Sequence, residues 1–137
     1  MTILTTHVGS LPRPKIVSDL LFKREKDEEY NQQHFEDVIT KSVEEVVKKQ
    51  LDVGVDIISD GEMSKISYAT YVKDRYNGFA GDSERNPPQD LEKFPNYMKK
   101  IADSGGTPTY SRPCCVSEIS SKKNNDLSND IKNLLNA

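Results

Sequence analysis

The stretch QHFEDVITKSVEEVVKKQLDVGVDIISDGE, residues 33–62, decides how this chain folds. Phe35, Val38, Ile39, Ser42, Val43, Val46, Val47, Gln50 and Leu51 recur at i, i+3, i+4, i+7 and i+8. That spacing gathers side chains along one stripe of an α-helix. Glu36, Asp37, Lys41, Glu44, Glu45, Lys48 and Lys49 take the other faces. The pattern predicts a helix over 33–53. Gly54 stands where a helix commonly ends in a left-handed residue. Residues 55–59, VDIIS, read as a short apolar strand, closed by Asp60-Gly61-Glu62. A long amphipathic helix that feeds an apolar strand through one glycine is an α/β signal.

On the N-terminal side, residues 1–8 form a β-rich run with Ile3, Leu4, Thr5, Thr6 and Val8, stopped by Gly9-Ser10-Leu11-Pro12-Arg13-Pro14. Residues 15–23 predict a short helix with Ile16, Leu20 and Leu21 on one side. On the C-terminal side, 67–76 reads as a helix with Tyr68, Tyr71, Val72 and Arg75 on one face, the tyrosines serving as packing. Residues 78–95 are polar and carry Gly81, Pro87, Pro88 and Pro95, which predicts a loop longer than most strand–helix connections. A short helix over 96–103 is broken by Ser104-Gly105-Gly106; 113–119 reads as a third strand, and 127–135 as a last amphipathic helix. No internal repeat is visible. Two strand–helix units and a partial third do not close a sheet, since parallel strands need cover on both faces. A (β/α)8 barrel takes about 250 residues. The expectation is either a small three-stranded α/β domain or the front piece of something longer.

Composition narrows the partners. The chain has 137 residues, 19 Lys and Arg against 22 Asp and Glu, and a formal charge of −3. Nucleic-acid binding needs clustered Lys and Arg to neutralise phosphates, so that class is excluded. No apolar run approaches the ~18 residues of a membrane span. The first residues lack a basic segment followed by an apolar one, so no secretory signal is expected and the default compartment is the cytoplasm. The hydrophobic share of 34%, even with the 7 glycines added, falls below the ~45–50% of typical domains, so the core is thin. Cys114 and Cys115 are adjacent, an arrangement that rarely bridges.

Three clusters carry chemistry: Thr6-His7-Val8-Gly9-Ser10 after the first strand, Ser59-Asp60-Gly61-Glu62 after the second, and Arg112-Pro113-Cys114-Cys115 at the third. Parallel α/β folds bind ligands at the carboxyl ends of strands, where the first two clusters sit. Glu62 and Asp60 suit an ammonium group by charge-assisted hydrogen bonds. Ser10 and the Gly9 amide suit a carboxylate, so together they fit an amino-acid head group. Each cluster taken singly has a plainer reading: Gly9 and Gly61 as turn residues, Asp60 and Glu62 as caps of the next helix, His7 as an ordinary hydrogen-bonded histidine, and the cysteines as buried and inert. One histidine and two adjacent cysteines are too few for a zinc site, which takes about four ligands.

The order of these clusters resembles the cobalamin-independent methionine synthase family in its short, single-barrel form. The resemblance runs through residues 5–14, TTHVGSLPRP, through 50–65, QLDVGVDIISDGEMSK, and through 68–75 and Gly78-Phe79, with a looser match at 112–116. It implies the N-terminal portion, here 1–137, of a single TIM-barrel catalytic domain, limited to the first two to three βα units. It implies a zinc-dependent transfer of a methyl group from methyltetrahydrofolate to the thiol of homocysteine. By the same resemblance, Val8, Gly9 and Ser10 hold the homocysteine backbone and Glu62 its amino group. His7, Asp60, Arg112 and Cys115 are possible substrate-side residues.

The family's zinc ligands belong to later strands, so neither a metal ligand nor a catalytic residue is expected within this chain. Loss of activity in isolation follows from that expectation, and a complementary C-terminal chain is a possible partner. Two alternatives stay open: alkyl transfer to another thiol, as in coenzyme M-type transferases of the same superfamily, and a non-catalytic truncated module. A sulfonate substrate would want an added Arg or Lys where homocysteine wants Glu62.

Overall fold

The computed structural model describes residues 3–83, 89–103 and 112–137. The expected break at Ser104-Gly105-Gly106 and the prolines Pro87 and Pro88 lie outside the described residues. In chain order the elements are α1 (Lys15–Glu25), α2 (Gln32–Asp52), α3 (Tyr68–Arg75), β1 (Tyr76–Ala80), α4 (Pro95–Asp103), β2 (Cys114–Ser121) and α5 (Asp126–Asn136).

The long helix α2 starts where the Asn31 side chain accepts the His34 N–H at 2.9 Å, satisfying one of the orphan donors of the first turn. It ends in a Schellman motif. The Gly54 N–H donates to the Leu51 carbonyl and the Val55 N–H to that of Gln50, both at 3.0 Å, with Gly54 at φ +79°. The α2 stripe of Phe35, Ile39, Val43, Val46 and Val47 packs with Val17, Leu20 and Leu21 of α1 and with Met63. These side chains are the core. Leu51, expected on that stripe, is exposed instead. Helix α5 lies along α2, its Leu134 against the core. The Thr40 hydroxyl donates to Asn133 Oδ1 at 3.0 Å, and Arg75 of α3 pairs with Asp130 of α5.

The sheet departs from expectation. Residues 1–8 and 55–59 do not form two extended strands; where described, they meet in one parallel bridge, Thr6 to Ile57. Side chains take over the work of a ladder there. The Thr5 N–H and hydroxyl both donate to Asp56 Oδ2 at 2.8 Å, and the Thr6 hydroxyl donates to the Ile57 carbonyl at 2.8 Å. Residues 76–80, read as the end of a helix and the start of a loop, form β1. The strand expected over 113–119 is present as β2, but it pairs antiparallel with β1 rather than extending a parallel sheet. Gly78 explains the pairing. At φ +94° it sits in a register irregularity, and a Cβ there would stand 2.7 Å from the Glu118 carbonyl oxygen. Only glycine lets the two backbones approach so closely. The described architecture is therefore mixed α/β: five helices and a two-stranded sheet.

Candidate functional site

The two segments that follow the parallel bridge, 7–14 and 58–65, are tied together residue by residue. Gln50, buried on α2, acts as a surrogate strand neighbour for Ser59. Its Nε2 donates to the Ser59 carbonyl at 2.8 Å and its Oε1 accepts the Ser59 N–H at 3.0 Å. The Leu11 N–H donates to the Gly61 carbonyl at 3.0 Å. The Glu62 N–H donates to Asp60 Oδ1 at 3.0 Å, an Asx-type turn that makes Asp60 a shaper of this loop. It caps no helix: the N-cap of α3 is Ser67, in a reciprocal capping box with Thr70.

Glu62 itself adopts φ +56°. A side chain in the left-handed region costs about 1–2 kcal/mol, so the surroundings must hold it there. Arg13 does so through the backbone. Its guanidinium donates to the Glu62 carbonyl at 3.0 and 3.2 Å and to the Lys65 carbonyl at 2.7 Å. Burial pulls the Arg13 pKa below its ordinary value, and the nearby charges of Glu62 and Asp60 oppose that pull. Arg13 was not among the sequence-expected site residues, although its place in the VGSLPRP run marks the same loop.

The side chain of Glu62 is gripped at both oxygens. The Ser10 hydroxyl donates to Oε2 at 2.9 Å across 52 positions of sequence. The Tyr68 hydroxyl donates to Oε1 at 3.1 Å. Tyr68 was expected to pack on a helix face. Instead its side chain is largely in solvent, 68% exposed, and its one polar atom reaches the carboxylate. The Glu62 carboxylate holds the Tyr68 phenol above its ordinary pKa, so it remains a donor. Among the described residues, the amides of Gly9 and Ser10 donate to no protein acceptor. Gly9 is at φ +93° with open space where a Cβ would be, and Val8 is 84% exposed.

Other expected residues fall elsewhere. His7 turns toward α2, lining a crevice of about 540 Å³ with Leu11, Arg13, Val46 and Met63, and its buried Nε2 has no hydrogen-bond partner among the described residues. Arg112 and Cys115 belong to the region of the β1–β2 sheet. The Arg112 N–H donates to Asp82 Oδ1 at 2.7 Å, and Cys115 lies opposite Phe79 with its thiol 3.6 Å from the Ser117 carbonyl. Among the described residues no hydrogen bond joins either to Ser10 or Glu62. Both cysteines are exposed, against the expectation of burial, because β2 is covered on neither face.

Residues 3–86 match the family model described as the catalytic domain of cobalamin-independent synthase. The chain belongs to this family. The match spans both segments of the Ser10–Glu62 cluster. Among curated relatives, a methionine synthase of Sulfolobus acidocaldarius is 26% identical over 133 residues, 96% of this chain and 37% of the relative. A 5-methyltetrahydropteroyltriglutamate–homocysteine methyltransferase of Candida albicans is 32% identical over 78 residues, 56% of this chain and 10% of the relative. One of the same name from Bifidobacterium animalis subsp. lactis is 31% identical over 75 residues, 55% of this chain and 10% of the relative. The chain thus spans well under half the length of these relatives.

A zinc ion does not fit the described residues. They contain no grouping of three His, Cys, Asp or Glu side chains able to hold one. No described helix is long and apolar enough to cross a membrane.

Proposed function

We propose that this chain supplies the amino-acid-binding portion of a thiol methyltransferase, and that the substrate it grips is homocysteine or a close relative. The observation that carries the reading is the Ser10–Glu62 pair. It places a carboxylate, fixed at both oxygens, beside the amides of Gly9 and Ser10, at the ends of two segments joined by a parallel bridge. An ammonium group finds the Glu62 charge and its remaining lone pairs. A substrate carboxylate finds the Gly9 and Ser10 amides, with Val8 alongside. The Ser10 hydroxyl proton is committed to Glu62, so its part is to orient that carboxylate while its amide meets the ligand.

The names of the relatives supply the reaction this reading adopts: methyl transfer from a methyltetrahydropteroyltriglutamate to homocysteine, the methyl-transfer step of methionine biosynthesis. The parallel bridge with helices after and before it is what the start of a (β/α)8 barrel would contribute, and an N-terminal portion of such a barrel over residues 1–137 is the domain assignment we adopt. Thiol activation by zinc and the folate contacts then fall to parts of the catalytic domain outside the described residues, whether in the same or a complementary chain. The compartment in this reading is the cytoplasm. An anionic sulfonate in place of the amino-acid end would meet repulsion at Glu62, which disfavours a coenzyme M-type substrate.

Calorimetric titration of the full chain with L-homocysteine tests the reading. Binding that weakens at least tenfold in Glu62→Gln, with unchanged melting temperature, supports it. Equal affinities in the two proteins overturn it.

A further inference from the structure

The same site contains a second device, which rests on the reading of Glu62 as the partner of an ammonium group. We propose that Tyr68 is the positioning residue that makes this site selective for a protonated amino group. Its hydroxyl donates to Oε1 of Glu62 at 3.1 Å while Ser10 holds Oε2 at 2.9 Å. Two donors on opposite oxygens stop the carboxylate from rotating about its last torsion, which is otherwise soft. A carboxylate offers about four lone-pair directions. Ser10 and Tyr68 occupy one on each oxygen, so one on each remains, in a fixed direction.

The choice of donors matters as much as their geometry. Both are neutral hydroxyls, and neither adds a positive charge at the Glu62 carboxylate. The adjacent cation, Arg13, spends its hydrogen bonds on the Glu62 and Lys65 carbonyls instead. A cation in place of Tyr68 would cancel the charge that an ammonium ligand needs. Nor is Tyr68 held here by burial. It is the first residue of α3, capped by Ser67, and its ring is mostly in solvent, so packing does not account for its placement. The helix presents a hydroxyl at the carboxylate and little else.

The test compares two ligands that differ only in the amino group, L-homocysteine and 4-mercaptobutanoate, by calorimetric titration of the full chain. The wild type should favour L-homocysteine at least tenfold. Tyr68→Phe should reduce that preference about three- to tenfold, the range for one lost hydrogen bond. Ser10→Ala, which removes the opposite donor, should reduce it similarly, and Glu62→Gln should bring it close to one. A packing role would lower the melting temperature and leave the preference alone. If Glu62→Gln abolishes the preference while Tyr68→Phe leaves it intact, Tyr68 is not the positioning residue and the reading of Glu62 stands. If the wild type shows no preference, that reading fails and the assignment of Tyr68 fails with it.

Discussion

Replacing Gly61 with alanine puts a methyl group into the tightest corner of the site. Gly61 sits at φ +62°, where a residue with a Cβ costs about 1–2 kcal/mol. The new Cβ would also stand 3.2 Å from Leu11 Cβ, Met63 Cε and Val46 Cγ2. Each contact is a few tenths of an ångström too close. Met63 and Val46 belong to the core, and Leu11 is tied to the Gly61 carbonyl by its own N–H, so none of the three retreats freely. Overpacking of this kind costs about 1–3 kcal/mol. The total is about 2–5 kcal/mol. Gly54→Ala is the matched control: φ is +79° and nothing lies within 4 Å of the added Cβ, so only the backbone cost of about 1–2 kcal/mol applies. Urea unfolding followed by circular dichroism should show Gly61→Ala the less stable by about 1–3 kcal/mol, with equal m-values. Equal losses in the two variants would refute the packing argument.

Gly78→Ala drives a Cβ into two backbone carbonyls, at 2.7 and 2.9 Å, which side-chain motion cannot relieve. It should abolish the β1–β2 cross-strand nuclear Overhauser effects while leaving those of α1 and α2 in place. The Tyr68 phenol titrates above its ordinary value because Glu62 accepts its proton. A raised folded pKa means that its contribution to stability is complete below the unfolded value of about 10 and is lost as pH rises through the folded one. In Glu62→Gln the Tyr68 ring-carbon titration should move back down toward that value. Arg75 and Asp130 have side chains only 11% and 16% exposed, and Arg75 also lies 3.8 Å above the Tyr71 ring. Removing one partner of so buried a pair costs about 3–5 kcal/mol. Arg75→Met should therefore raise amide exchange throughout α5 well before it affects the α1–α2 core.

The parts of this molecule legible in its sequence are those fixed by local rules. The α2 stripe announces a helix, and the Gly54 stop is a backbone requirement that one residue satisfies. Ser10 and Glu62 can be singled out because each follows a short apolar run and a glycine. That they bond to each other is not legible, since 52 residues separate them. The readings of 1–8 and 55–59 as strands failed for a different reason. Thr5 and Asp56 look like ordinary strand residues, yet their side chains capture the groups a ladder would use. The run Tyr76-Asn77-Gly78-Phe79-Ala80 has no alternation of its own and becomes a strand only because β2 arrives from almost forty residues away. Tyr68 misleads by type: an aromatic at helical spacing suggests packing, and only the turn from Gly61 to Ser67 shows that its hydroxyl is what the site uses.

The central claim is that Gly9, Ser10 and Glu62 receive the amino-acid end of a thiol. Chemical-shift mapping of the full 15N-labelled chain during titration with L-homocysteine tests it most directly. The account predicts the largest amide shifts at Gly9, Ser10 and Glu62, spreading to Tyr68 and leaving Arg112 to Ser121 unchanged. Shifts centred on the His7 crevice or on the β1–β2 sheet, or none at the Ser10–Glu62 pair, would contradict it.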